Sequence, residues 1–246
     1  MEKESPVIKV IGVGESGRKA IAQLWGSGWD NVDFMTLDET PASELKGIFQ
    51  DADMAIFLAD AQNQKAAEAA ECAKGMNVLA IVMVVGENVP KALVDASDTV
   101  MELRFDGCGD EHHAAAALAA GVWNVMEIMS DKALISIDFC DLKNLLSNAG
   151  VTAMTLGRGY GVNATLKALK NATDSMKKNS ILSKATSVLM YITGSGDNIK
   201  VMDVGSASAY LCEKINPTAG IIWGVTEEES MDDRVDVTLI ASRLAV

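Results

Sequence analysis

Ile135-Ser-Ile-Asp-Phe-Cys-Asp-Leu-Lys-Asn-Leu-Leu-Ser-Asn-Ala-Gly-Val-Thr-Ala-Met154 carries two carboxylates, Asp138 and Asp141, where a loop turns into a helix. The pattern predicts a helix over 141–148 and a strand over 151–157. At such a spacing, carboxylates at a helix start can cap its unsatisfied N–H groups and do nothing more.

Downstream, helices expected over 162–172 and 203–214 alternate with strands over 151–157, 187–193, 221–225 and 234–240. The last two strands, joined by the acidic Glu227-Glu-Glu-Ser-Met-Asp-Asp233, read as an antiparallel hairpin. Upstream, nearly continuous apolar strands over 7–13, 32–37, 54–59, 78–85 and 99–103 alternate with helical stretches over 19–25 and 63–74. Such strands belong to a parallel sheet covered on both faces. A proline-free run over 110–129, with Leu118, Val122, Val125, Met126 and Met129 at helical spacing, predicts a long central helix. The expected architecture is α/β: a Rossmann-like parallel-sheet domain over 1–109, the central helix over 110–132 and a smaller α/β carboxy-terminal domain over 133–246.

With 246 residues and 49% hydrophobic content the chain can bury one core or two smaller ones, which excludes a disordered or fibrous protein. Its net charge of −13 repels phosphate backbones and anionic lipid, so neither nucleic acid nor a membrane surface is an expected partner. No signal peptide or anchor is recognisable. The four cysteines, Cys72, Cys108, Cys140 and Cys212, form no CxxC pair, which suits reduced thiols and a cytoplasmic location.

Gly12-Val-Gly-Glu-Ser-Gly17 follows a strand and opens a helix, a setting in which backbone N–H groups can hold a phosphate. Asp38 then falls where a dinucleotide-binding protein places its ribose carboxylate. The same glycines also suit a merely structural turn, and Glu15, whose carboxylate would face any diphosphate, favours that reading. Cys108, Asp110, Glu111, His112 and His113 crowd together, but neighbouring histidines on a helix diverge by about 100°, so caps and exposed side chains explain them better than a metal. No metal site is expected. A nucleophile elbow and a Walker loop are missing, and a histidine-based triad could draw only on the neighbouring His112 and His113, which disfavours a hydrolase of that type.

The stretch 135–154, followed by Gly157-Arg-Gly and a helix from Asn163, closely resembles the synergy loop, its helix and the next strand of FtsZ, the bacterial tubulin-like division GTPase. Val188-Leu-Met-Tyr-Ile-Thr-Gly-Ser-Gly196 and Gly220-Ile-Ile-Trp-Gly-Val-Thr226 resemble its later strands, and Ile8-Lys-Val-Ile-Gly-Val-Gly14 its first. The resemblance implies an FtsZ/tubulin-like fold, membership of the cytoskeletal superfamily and FtsZ-like subunits as partners. It also implies that Asp138 and Asp141 match the acidic residues that one subunit projects into its neighbour's nucleotide pocket. They would be catalytic in trans, with Ser136 replacing an asparagine.

The departures from the family cluster at the nucleotide end. Its glycine-rich signature should follow Ala59, where this chain has Asp60-Ala-Gln-Asn-Gln-Lys65. A backbone phosphate cradle needs residues without Cβ. The segment 37–53 is too short for the γ-phosphate-sensing loop, and the guanine-reading aspartate aligns with Ala115 or Ala116. Ending at Val246, the chain would also lack the family's linker and adaptor-binding tail. These losses imply little or no GTPase activity and disfavour GTP or GDP as ligand. Gly12, Gly14 and Gly17 are left as a remnant phosphate loop. The leading expectation is a filament-joining or capping pseudo-GTPase, against a small self-assembling GTP-binding protein or a nucleotide-independent homopolymer.

Overall fold

The computed structural model describes residues 5–86, 88–105, 111–130, 133–177 and 180–242. Contacts divide the chain into two compact units, one of residues 1–103, 107–123 and 146–151, the other of 104–106, 124–145 and 152–246.

In the first unit the chain alternates strand and helix. The elements are β1 (Ile8–Gly12), α1 (Gly14–Leu24), β2 (Val32–Thr36), α2 (Leu45–Phe49), β3 (Met54–Leu58), α3 (Gln64–Gly75), β4 (Leu79–Val85), α4 (Lys91–Ala96) and β5 (Thr99–Leu103). The strands lie in the order β2-β1-β3-β4-β5, every pair parallel. Every residue of β3 is buried, and β2, at the edge, has none that is. The continuous apolar runs are thus the interior strands, as expected of a sheet covered on both faces. Ala66, Ala69, Ala70 and Ala73 form the buried stripe of α3, and such small side chains let the helix lie close on the sheet. The Asp98 carboxylate accepts from the Ala80 N–H at 3.0 Å and the Asn148 N–H at 3.2 Å, which ties the start of β5 to β4 and to the turn before residue 150.

The chain then forms α5 (Glu111–Ile128), whose residues belong to the first unit through Trp123 and to the second from Asn124. The second unit is built from β6 (Ala133–Ile135), α6 (Phe139–Leu146), β7 (Gly150–Tyr160), α7 (Ala164–Ser175), α8 (Ile181–Lys184), β8 (Ser187–Gly194), α9 (Val201–Cys212), β9 (Gly220–Glu227) and β10 (Arg234–Ser242). Its strand order is β7-β10-β8-β9-β6. β10 runs antiparallel to β7 and β8, and β9 runs parallel to β8 and antiparallel to β6. Leu169 of α7 and Leu211 of α9 pack with Met190, Ile192, Val237 and Leu239 in one core.

This order corrects the hairpin expected over 221–240: β9 and β10 do not pair, because β8 lies between them. Seven of the eight residues of β8 are buried, so it needs neighbours along both edges and cover on both faces. β9 keeps several exposed residues and takes the position nearer the sheet edge. A second difference concerns α1, which begins at Gly14 rather than near 19, so Gly17 lies inside the helix. Cys108 and Asp110, and the side chains of Glu111 and His112, lie outside the described residues; His113 is exposed, and among the described residues no group of His, Cys, Asp and Glu could hold a metal ion.

Candidate functional site

Two places carry the candidate residues, one in each unit. In the first unit, β1 ends at Gly12 and α1 starts two residues later, so the first turn of α1 lies directly on the strand ends. A Cβ on Gly17 would sit 2.1 Å from the Leu58 carbonyl oxygen, and one on Gly12 would sit 2.6 Å from the Gly17 oxygen. Both glycines are therefore required by helix–strand packing. Gly14, at φ +78, occupies backbone space that favours glycine.

The exposed N–H groups at the start of α1 and its dipole favour an anion there. Here the anion is the chain's own. Gly14 N–H donates to Asp38 Oδ1 at 2.7 Å, and Arg18 Nη1 donates to Asp38 Oδ2 at 2.7 Å. Lys65 Nζ donates to the Asp38 backbone oxygen at 2.8 Å. Partial burial raises the Asp38 pKa, but the Gly14 N–H and the Arg18 guanidinium outweigh it and hold the carboxyl below its usual range. From the loop after β3, Asn63 Oδ1 accepts from the Ala66 N–H at 3.2 Å and caps α3. Asn63 Nδ2 and Asp60 Oδ2 stand 3.1 and 3.7 Å from the position of a Gly14 Cβ. Asp38 and Asp60 thus bring negative charge to the mouth of α1. Glu15 pairs with Lys19 at the surface, and hydrogen bonding to that lysine lowers its pKa. In α5, Ala115 is buried and Ala116 exposed, and neither offers a hydrogen bond to a base.

The second place is the loop joining β6 to α6. Asp138 directly precedes the helix, and its Oδ1 accepts from the Asp141 N–H at 2.8 Å, the geometry of an N-cap. Asp141 is exposed in the first turn, Ser136 is exposed before it, and Leu134 and Ile135 expose apolar surface. On β9, Ile221 and Trp223 do the same. Chemically, the loop offers one carboxylate committed to its helix and one facing solvent.

The sequence-nominated residues are thus brought together within each place: Gly12, Gly14, Gly17 and Asp38 in one, Asp138 and Asp141 in the other. What the sequence reading missed is the direction of Asp38, which turns into the glycine loop, and the supporting roles of Arg18, Asn63 and Lys65. Only Asn63 had a local signal, an N-cap residue type just before a helix former run.

Residues 150–245 match the FtsZ family, C-terminal domain. The fold is similar to that of the empty FtsZ dimer of M. jannaschii at TM-score 0.82 and 19% identity, covering 98% of this chain and 89% of that one. It is also similar to CetZ from Methanosaeta thermophila, at TM-score 0.68 and 12% identity, over 98% of this chain and 88% of that one. TubZ of Bacillus thuringiensis serovar israelensis, in GDP-form protofilaments, matches at TM-score 0.67 and 11% identity, over 98% of this chain and 87% of that one.

Proposed function

We propose, from the premise that this chain is a member of the FtsZ/tubulin superfamily, that it is a cytoskeletal protein that joins filaments of FtsZ-like subunits without using a nucleotide of its own. The observation that carries this reading is the Gly14 N–H donating to Asp38: the donor a phosphate would use is already taken by a carboxylate anchored by Arg18. Asp60 adds a second negative group beside Gly14. Each charge-assisted hydrogen bond lost to a phosphate removes about 1.5–3 kcal/mol of binding. The loop Ser136–Asp141 then serves as the joining face, with Asp141 free to meet a neighbour's water or phosphate and Asp138 holding the helix behind it.

Equilibrium binding of a fluorescent GTP analogue with Mg²⁺, beside FtsZ as control, tests the first half. No saturable binding up to millimolar is expected, and micromolar binding overturns it. Light scattering and GTP turnover of FtsZ, with and without an equimolar amount of this chain, test the second half; identical curves count against joining. A nucleotide-independent homopolymer is the second reading, favoured by exposed Leu134, Ile135, Ile221 and Trp223 on the paired strands β6 and β9.

A further inference from the structure

The second unit is electrically polar along its strands. β10 runs from Arg234, beside the acidic turn 227–233, to Ser242 at the other end, roughly 27 Å away at ~3.3 Å per residue. Helices α7 and α9 both start at the acidic end, where Gly161 N–H donates to the Asp233 oxygen and Ser195 Oγ to the Asp232 oxygen. Both run back, so their last turns lie at the opposite end, where Thr186 N–H donates to the Ser242 oxygen and Asn216 N–H to the Leu182 oxygen.

At that far end is a cavity of about 250 Å³ whose lining includes Met176, Lys177, Ser180, Leu182, Tyr210 and Lys214 and, among the described residues, no carboxylate; just outside the lining, Asp174 pairs with Lys177 at 2.7 Å and leaves Lys170 and Lys214 around the ring of Tyr210. Lys170 and Lys214 lie 5.7 and 5.2 Å from the Tyr210 ring centroid, one cation for each contact with the same ring. In a chain of net charge −13, this is a local concentration of positive charge. The last turns of α7 and α9 bring carbonyl groups to this region, and α8, whose Ser180, Leu182 and Ser183 line it, is a single short turn, so the positive charge here comes from the lysine side chains. Separate, long lysine side chains suit carboxylates spread along a segment. At the acidic end, Glu227, Glu228, Glu229, Asp232 and Asp233 are all exposed.

We infer that the lysine–tyrosine cavity is the docking site for the acidic turn 227–233 of a second copy of this chain. The ~27 Å between cavity and turn stops a copy from filling its own site. The contact joins different surfaces of the two copies, so it propagates as an open chain unless a rotation closes it. This deepens the homopolymer reading and rests on it.

Sedimentation velocity of the full chain against concentration, at low and high salt and without nucleotide, tests the contact. The unchanged chain should assemble at low salt and return to monomer as screening increases. Lys177→Glu with Lys214→Glu, and separately Glu229→Lys with Asp233→Lys, should each weaken association at least about tenfold through like-charge contacts. Mixing the two variants restores opposite charge at both contacts, so the mixture should assemble; that recovery also shows that both are folded. For a variant that does not fold, Lys214→Gln and Glu229→Gln replace it and should weaken association more mildly. Variants that assemble like the unchanged chain, or a mixture that does not recover, overturn this contact and leave the filament reading standing. A chain that is monomeric at every salt and concentration overturns the contact and the homopolymer reading together, and the FtsZ mixing experiment then decides the joining reading separately.

Discussion

The glycine loop before α1 and the acidic loop before α6 are both strand-to-helix junctions, yet they dispose of the helix's exposed N–H groups differently. At α6 the cap is local: Asp138 bonds to Asp141, three residues on. At α1 the partner comes from Asp38, 24 residues away and beyond a further strand. Gly12 and Gly17 also look like ligand-loop residues but are fixed by contact with backbone. The difference teaches that a glycine fingerprint reports how closely a helix approaches a strand before it reports any ligand.

The strongest way to break this comparison is Gly17→Ala. Because its Cβ would meet the Leu58 oxygen, about 3 kcal/mol should be lost, the upper end of the usual cost of overpacking. Urea denaturation reads it, and a loss near zero would return Gly17 to the role of a ligand-loop residue. Asp38→Ala comes next. It leaves the Gly14 N–H without its carboxylate and should cost about 2 kcal/mol in the same measurement. Asp138→Ala should cost about 1 kcal/mol as a lost cap. Asp141→Ala, exposed, should stay within about 0.5 kcal/mol. If the α6 loop acts on neighbouring subunits, Asp141→Ala nevertheless changes the effect of this chain on FtsZ turnover while leaving its own stability alone.

Acidity sharpens the contrast between the units. The Asp38 pKa is lowered, so its stabilising contribution is complete above the unfolded value near 3.9 and is lost as pH falls through the lower folded value. In the second unit, burial raises the Glu127 pKa, reinforced by the charges of Asp236 and Glu228, although the Thr193 hydroxyl donates to it at 2.9 Å. Burial also raises Asp236, against the pull of Arg234 and Arg158. A raised carboxyl favours the protonated folded state, so these two oppose folding at neutral pH and are relieved as pH falls through their folded values towards about 4. Glu127→Gln should therefore raise the urea midpoint at pH 7 and make little difference below about pH 4. An unchanged midpoint at pH 7 would mean that Glu127 is solvated in the folded chain.

Much of the fold was legible in the residues. Continuous apolar runs such as Met54–Leu58 have only one comfortable place, the middle of a sheet covered on both faces, and the alanines of α3 identify the face that covers it. The loop around Asp138 was legible for the same reason: its decisive hydrogen bond spans three residues. The acidic turn was misleading because short separation in sequence suggested a hairpin, whereas β8, buried on both sides, competes for both strands and wins.

By itself, then, the amino-acid sequence determined the types of the longer elements, the interior strands, the helix cap at Asp138 and the likeness to FtsZ, all of which depend on local pattern, whereas the short α2, α4, α8 and β6 carried too few residues to show a period. Only the tertiary structure decided that β8 separates β9 from β10, that Asp38 fills the mouth of α1, and that lysines from α7 and the end of α9 meet around Tyr210. Those outcomes depend on which distant groups the packed chain brings within hydrogen-bonding or Coulomb range, and local pattern carries no record of that distance.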